Sequence, residues 1–149
     1  MSSIIAPFQM KKNKVVSYRI AQNEVRQEYE NISVSLGTDY RVTEIVENAD
    51  TWNARLNLVI SLIGTTNMDE QAFEICLDMM GVFEGDKIQL GQEKFCSMLK
   101  LNGISTLMQL SRAYITATTA LSGFATPIDF PMVNVFELIK CKEAKERNS

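Results

Sequence analysis

Between Trp52 and Leu62 every even-numbered side chain is apolar, while Asn53, Arg55, Asn57 and Ser61 stand at odd positions. A period of two sends alternate residues to opposite faces of an extended chain, so this stretch predicts a strand with one buried face. Phe73, Ile75, Leu77 and Met79 repeat the pattern around Glu74, Cys76 and Asp78. The link from Gly64 to Asp69 has the composition of a hairpin loop, so strands at about 52–63 and 71–80 are expected to pair directly. Upstream, Val16, Tyr18 and Ile20 alternate with Ser17 and Arg19, and Ile32, Val34 and Leu36 alternate with Ser33 and Ser35. Gly37 interrupts a pattern that resumes from Tyr40 to Val46, which predicts one bulged strand or two short ones. Four main strands are expected.

After Gln92 the period changes. Phe95, Met98, Leu99, Ile104, Leu107, Met108, Tyr114, Ile115 and Leu121 follow one another at helical spacings, in a run that ends near Ser122 and Gly123. Asn102-Gly103 breaks this run, and an interior glycine costs a helix ~1 kcal/mol relative to alanine, so a kink or a junction is expected there. Leu110, Ala113 and Ala117 form a second, smaller stripe. The helix is therefore expected to make contact on two sides, with the sheet and with another surface such as a second subunit. Asn134-Val135-Phe136-Glu137 has capping-box spacing for a last helix, whose Lys140, Lys142, Lys145 and Arg147 suit its C-terminal dipole. Residues 1–13 and 143–149 are expected to be flexible. Strands followed by helices, without alternation, predict a single α+β domain over 1–149: a four-stranded antiparallel sheet with a long kinked helix and a short C-terminal helix packed on one face.

Composition narrows the chemistry. The 149 residues are 46% apolar and include no histidine, which removes the commonest general base and metal ligand. Cys76, Cys96 and Cys141 are odd in number and lack CxxC spacing, which supports neither a disulfide framework nor a zinc site. Ile4-Ile5-Ala6-Pro7-Phe8 is too short for a signal core, and no run approaches the ~20 apolar residues of a membrane span. A cytoplasmic protein without membrane insertion is expected. Net charge is -3, but residues 39–93 hold eleven acidic residues against three basic ones, which disfavours nucleic acid as a partner. The plain reading of these acids is a solvated sheet face. Acid–base catalysis would fall to Asp69-Glu70 or Glu44 and Glu47, adjacent or near-adjacent acids of the kind that are usually solvated, so neither an enzyme nor a cofactor is expected.

One ordered set of motifs remains: Ala72-Phe73, Gly81-Val82-Phe83, Arg112-Ala113-Tyr114-Ile115-Thr116, and Gly123-Phe124-Ala125-Thr126-Pro127-Ile128-Asp129-Phe130-Pro131-Met132-Val133-Asn134. Their order and spacing over about 50–140 resemble the SecB family of bacterial protein-export chaperones, and Phe8-Gln9-Met10 before the first strand fits more loosely. The resemblance implies a homodimer or homotetramer that holds unfolded polypeptide clients, a preprotein or an antitoxin, in apolar grooves without ATP. Phe124, Ile128, Phe130 and Met132 lie in a proline-bracketed connection expected at the surface. Phe73, Phe83, Leu101 and Phe136 are the expected groove floor beneath it. Ordinary core is the plainer reading for Phe73, Phe83 and Phe136, and surface for Phe124 and Phe130. Met79, Met80, Met98, Met108 and Met132 would supply adaptable apolar surface. Tyr18, Ile20, Leu110, Ala113, Tyr114 and Ala117 are the candidate subunit interface.

In that family, acids on the solvent face of the sheet dock the SecA motor. Here Cys76 takes one such position, and Ser17 and Arg19 stand where acid is implied, which leaves Glu74 and Asp78 as possible substitutes. SecA binding is therefore expected to be weak or absent. The rival reading is an oligomeric structural or small-molecule-binding module without chaperone activity.

Overall fold

In a computed structural model of the protein, which describes residues 4–24, 32–43, 45–124 and 127–148, the alternating segments form one antiparallel sheet. Its strands are β1 (Phe8–Gln22), β2 (Ile32–Val42), β3 (Val46–Glu47), β4 (Thr51–Thr66) and β5 (Gln71–Asp86). They are ordered β1-β5-β4-β2, with the two-residue β3 beside β4. The hairpin expected between β4 and β5 is present, with Leu62 opposite Ile75 and Leu58 opposite Met79. Both strands are longer than their alternation suggested, so Gly81, Val82 and Phe83 lie inside β5.

The bulge expected at Gly37 is absent: β2 pairs with β4 without a register shift from Ile32 to Val42. The physical reason is phase. Ile32, Val34, Leu36, Tyr40 and Val42 all keep even parity across Gly37, so no residue has to be looped out. Register shifts fall instead on β1, between Met10 and Lys12 and between Val15 and Ser17. β1 also starts at Phe8, so residues 8–13, expected among the flexible ends, belong to the sheet.

The even side chains of β4 and the odd ones of β5 share one face. Leu56, Leu58, Ile60, Leu62, Ile75, Leu77 and Phe83 are buried there under α1 (Gln92–Met98) and α2 (Ile104–Ala120). The expected kink is a π-helical turn, Leu99–Gly103, whose extra residue lets Leu99 and Gly103 both reach the sheet. A Cβ on Gly103 would come within 3.0 Å of Leu56 Cδ2, so glycine permits the close approach. Gly64 serves the same end on β4, where the Phe73 ring occupies the space that a side chain would need.

The last helix, α3 (Val135–Arg147), starts on the predicted cap: the Asn134 side chain accepts a hydrogen bond from Glu137 N at 3.2 Å. It runs past Glu143, where fraying was expected. None of its residues is fully buried, so it is held mainly at its surface. Lys142 donates to Asp39 Oδ1 at 2.8 Å and to the Tyr40 carbonyl, and its ammonium stands 4.6 Å from the centre of the Tyr40 ring. Lys100 pairs with Glu143 at 3.3 Å.

Candidate functional site

Because α2 lies over β4 and β5, and α3 reaches β2 only around Asp39 and Tyr40, the inner face of the first half of the edge strand β2 is left without a helix above it. Ile32, Val34 and Leu36 point toward this uncovered margin, and Val34 is 44% exposed. The crossover between α2 and α3 arches over it, and the space between is an apolar groove of about 410 Å³. Phe73, Phe124, Pro127, Ile128, Phe130 and Pro131 complete its walls.

The crossover is tied to α2 by the side chains of the Arg112-to-Thr116 segment and the next turn. Arg112 donates through Nε to the Phe130 carbonyl at 3.1 Å and through Nη2 to Asp129 Oδ1 at 3.0 Å, while its guanidinium lies 5.6 Å from the Phe130 ring centre. Thr116 Oγ1 donates to the Ile128 carbonyl at 2.9 Å. Thr119 is fully buried, donates to the Ile115 carbonyl and accepts from Ile128 N at 2.9 Å. The Arg112 guanidinium and the Thr116 and Thr119 hydroxyls thus each have a partner here, as buried polar groups require. Phe124 closes the far end with its ring edge-on to Phe73, centroids 5.2 Å apart.

Of the expected groove residues, Phe73, Phe124, Ile128 and Phe130 come together. Ala125 and Thr126 of the same connection lie outside the described residues, as does Glu44. Phe130 differs from expectation: it is only 2% exposed, because Arg112 pins its backbone and its ring turns down onto the core. Phe83 is elsewhere, stacked on Phe8 with centroids 5.3 Å apart. Leu101 sits in the π turn, away from the groove. Met132 and Phe136 are exposed outside it, and the reading of Phe136 as core fails because α3 turns Leu138 and Ile139 inward instead. Ile32, Val34 and Leu36 went unassigned in the sequence. Their alternation announces a strand, but only the strand order makes it an edge.

The candidate interface residues divide. Tyr18 and Tyr114 pack on each other edge to face at 4.8 Å, and Tyr18 shares a 2.5 Å hydrogen bond with Thr118 Oγ1, so both rings are engaged within the chain. Burial pushes the Tyr18 hydroxyl above its ordinary pKa, against the lowering effect of that bond. Ile20 and Leu110 are half-buried, whereas Ala113 and Ala117 are exposed in line with Ala120 and Leu121.

Several acids of the sheet are engaged within the chain. Asp78 accepts from Asn57 Nδ2 at 2.9 Å and from Arg41 at 3.4 Å, and its side chain is 17% exposed. Asp39 is drawn to Lys142, whose hydrogen bond holds the carboxyl below its usual pKa. Glu47 pairs with Lys87, and Asp86 caps its own turn. Glu74 stays on the solvent face of β5 opposite Ile63. Among the described residues no cluster of three or more Cys, Asp or Glu side chains is placed to hold a metal ion, and no helix is long and apolar enough to cross a membrane.

An antiparallel sheet with helices on one face and an apolar groove at its margin is an α+β fold of the SecB-like kind. The chain is similar to the Mycobacterium tuberculosis Rv1957 SecB-like chaperone, solved in complex with a ChAD peptide from the Rv1956 HigA1 antitoxin, with a TM-score of 0.64 over 89% of this chain and 95% of that one. Identity between the two is 12%, so the likeness is one of fold. A protein of unknown function from Streptococcus agalactiae matches at a TM-score of 0.47 and 8% identity, over 84% of this chain and 97% of that one. No family model matches the chain, and no curated protein matches its sequence.

Proposed function

We propose that this chain is a holdase chaperone that binds non-native polypeptide in the groove between β2 and the crossover, without ATP. The observation that carries this reading is the groove itself: apolar side chains from an uncovered strand edge and a tethered loop remain reachable in the folded protein, where a client's apolar residues can displace water. The fold shared with Rv1957, a chaperone solved with an antitoxin peptide, supports a polypeptide client. An antitoxin-like client fits better than a preprotein bound for SecA, because Asp78 is occupied within the sheet and Arg19 stands opposite Cys76. The exposed stripe Ala113, Ala117, Ala120 and Leu121 and the long edge strand β1 support assembly into a dimer or tetramer. Unpaired Cys76, Cys96 and Cys141 suit the reducing cytoplasm.

The test is light scattering from a chemically denatured model protein diluted into buffer without nucleotide. Equimolar chain is expected to suppress aggregation, and aggregation that proceeds unchanged at tenfold excess refutes the reading. A groove of about 410 Å³ also falls in the size range of small-ligand pockets. That second reading predicts a single apolar compound bound stoichiometrically and no effect on aggregation.

A further inference from the structure

The outer face of the sheet, opposite the helices and the groove, carries a feature that holding clients does not use. Cross-strand register places Lys12, Val82 and Arg55 in one row and Lys14, Met80, Asn57 and Arg41 in the next. Directly opposite residues share a face, so four cationic side chains surround a small floor made by Val82 and Met80. All four are exposed, while Val82 is half-buried and Met80 buried. Among the described residues Arg41 pairs with Asp78, whereas Lys12, Lys14 and Arg55 make no ion pair.

We propose that this face docks an acidic polypeptide segment, independently of the client groove. Lys12 and Arg55 are two strands apart, about 10 Å, and Lys12 and Lys14 are about 7 Å apart along β1. An extended peptide with carboxylates at alternate positions repeats at that same distance, so successive acids on its sheet-facing side meet Lys12 and Lys14. A nucleic acid fits worse. Glu84 borders the cationic rows on one side and Asp78 on the other, and a continuous phosphate chain leaving the patch would run over them in a protein of net charge -3. Exposed charges also act mainly on encounter and on salt dependence, which defines the signature to look for.

The probe is a fluorescent four-residue oligoglutamate, long enough to span the two cationic rows without running past Glu84 and Asp78, titrated with the full chain at low and at physiological salt. The Lys12→Gln/Lys14→Gln variant, K12E/K14E and R55Q are titrated beside wild type, with circular dichroism confirming the sheet in each. The expected result is binding at low salt that falls about tenfold in K12Q/K14Q, further in K12E/K14E, and steeply with added salt. The neutral pair keeps the test valid if charge reversal disturbs β1. No binding at low salt, binding unchanged in K12Q/K14Q, or tighter binding of an oligothymidylate of equal charge overturns the proposal. Because the readout is oligoglutamate binding, failure here leaves the aggregation test standing, and failure there leaves this one standing.

Discussion

Replacing Val34 and Phe124 together by serine separates the groove from the core. Val34 is 44% exposed and Phe124 is half-buried, so neither anchors the sheet. Burying one such side chain against a client contributes about 1.5 to 3 kcal/mol when burial is complete, which gives an upper bound of roughly 3 to 6 kcal/mol for the pair. Partial burial reduces this, and a loss of at least tenfold in client affinity is expected. The cost to the fold is about 0.5 to 1.5 kcal/mol for the lost Phe73–Phe124 ring pair, roughly 1 to 1.5 kcal/mol for the part of Phe124 already buried, and up to about 1 kcal/mol for serine in a strand. In a domain of this size that lowers Tm by roughly 3 to 16 °C. Anisotropy of a labelled apolar peptide reports affinity, and calorimetry reports Tm. If V34S/F124S binds the peptide as tightly as wild type with its fold intact, the groove is not the client site.

Phe130 behaves differently in the same loop: being 2% exposed, Phe130→Ser should cost the fold about 3 to 5 kcal/mol, which thermal melting will register directly. Gly64→Ala forces the Phe73 ring out of its place, so both Tm and peptide affinity should fall although the loop is untouched. Asp39 has its pKa lowered chiefly by Lys142, so its contribution is complete above the carboxyl's unfolded pKa of about 4 and is lost as pH falls through the lower folded value. Amide-exchange protection of α3 should thus be constant from pH 5 to 8 and drop below about pH 4, with Lys142→Met removing that dependence. Ala117→Glu puts a charge in the exposed stripe of α2 and should shift sedimentation toward monomer.

The sheet was legible because period-two alternation survives wherever one face is buried, as in β4 and β5. The π turn was legible as the glycine break it contains. Strand order was not: nothing local to Ile32, Val34 and Leu36 says that this half of β2 lies at the margin with no helix above it. Phe130 and Phe136 were misplaced for a related reason. A loop phenylalanine was read as surface and a helical one as core, yet Arg112 folds the first inward and the orientation of α3 turns the second out. Acidic residues dominate the middle of the sequence, but their long-range partners Arg41, Lys87 and Lys142 become neighbours only in three dimensions.

The grip of α2 on the crossover acts mostly through main-chain atoms, at the Ile128 carbonyl, the Ile128 amide and the Phe130 carbonyl. The path of that segment is consequently independent of most of the side chains it displays. If the proposed function holds, residues such as Phe124 and Ile128 can be exchanged over generations while Arg112, Thr116 and Thr119 keep the arch in place, so client preference can drift without rebuilding the scaffold. A preshaped arch also spares an incoming polypeptide the entropy of ordering the loop, and weak individual contacts then suffice for a useful residence time.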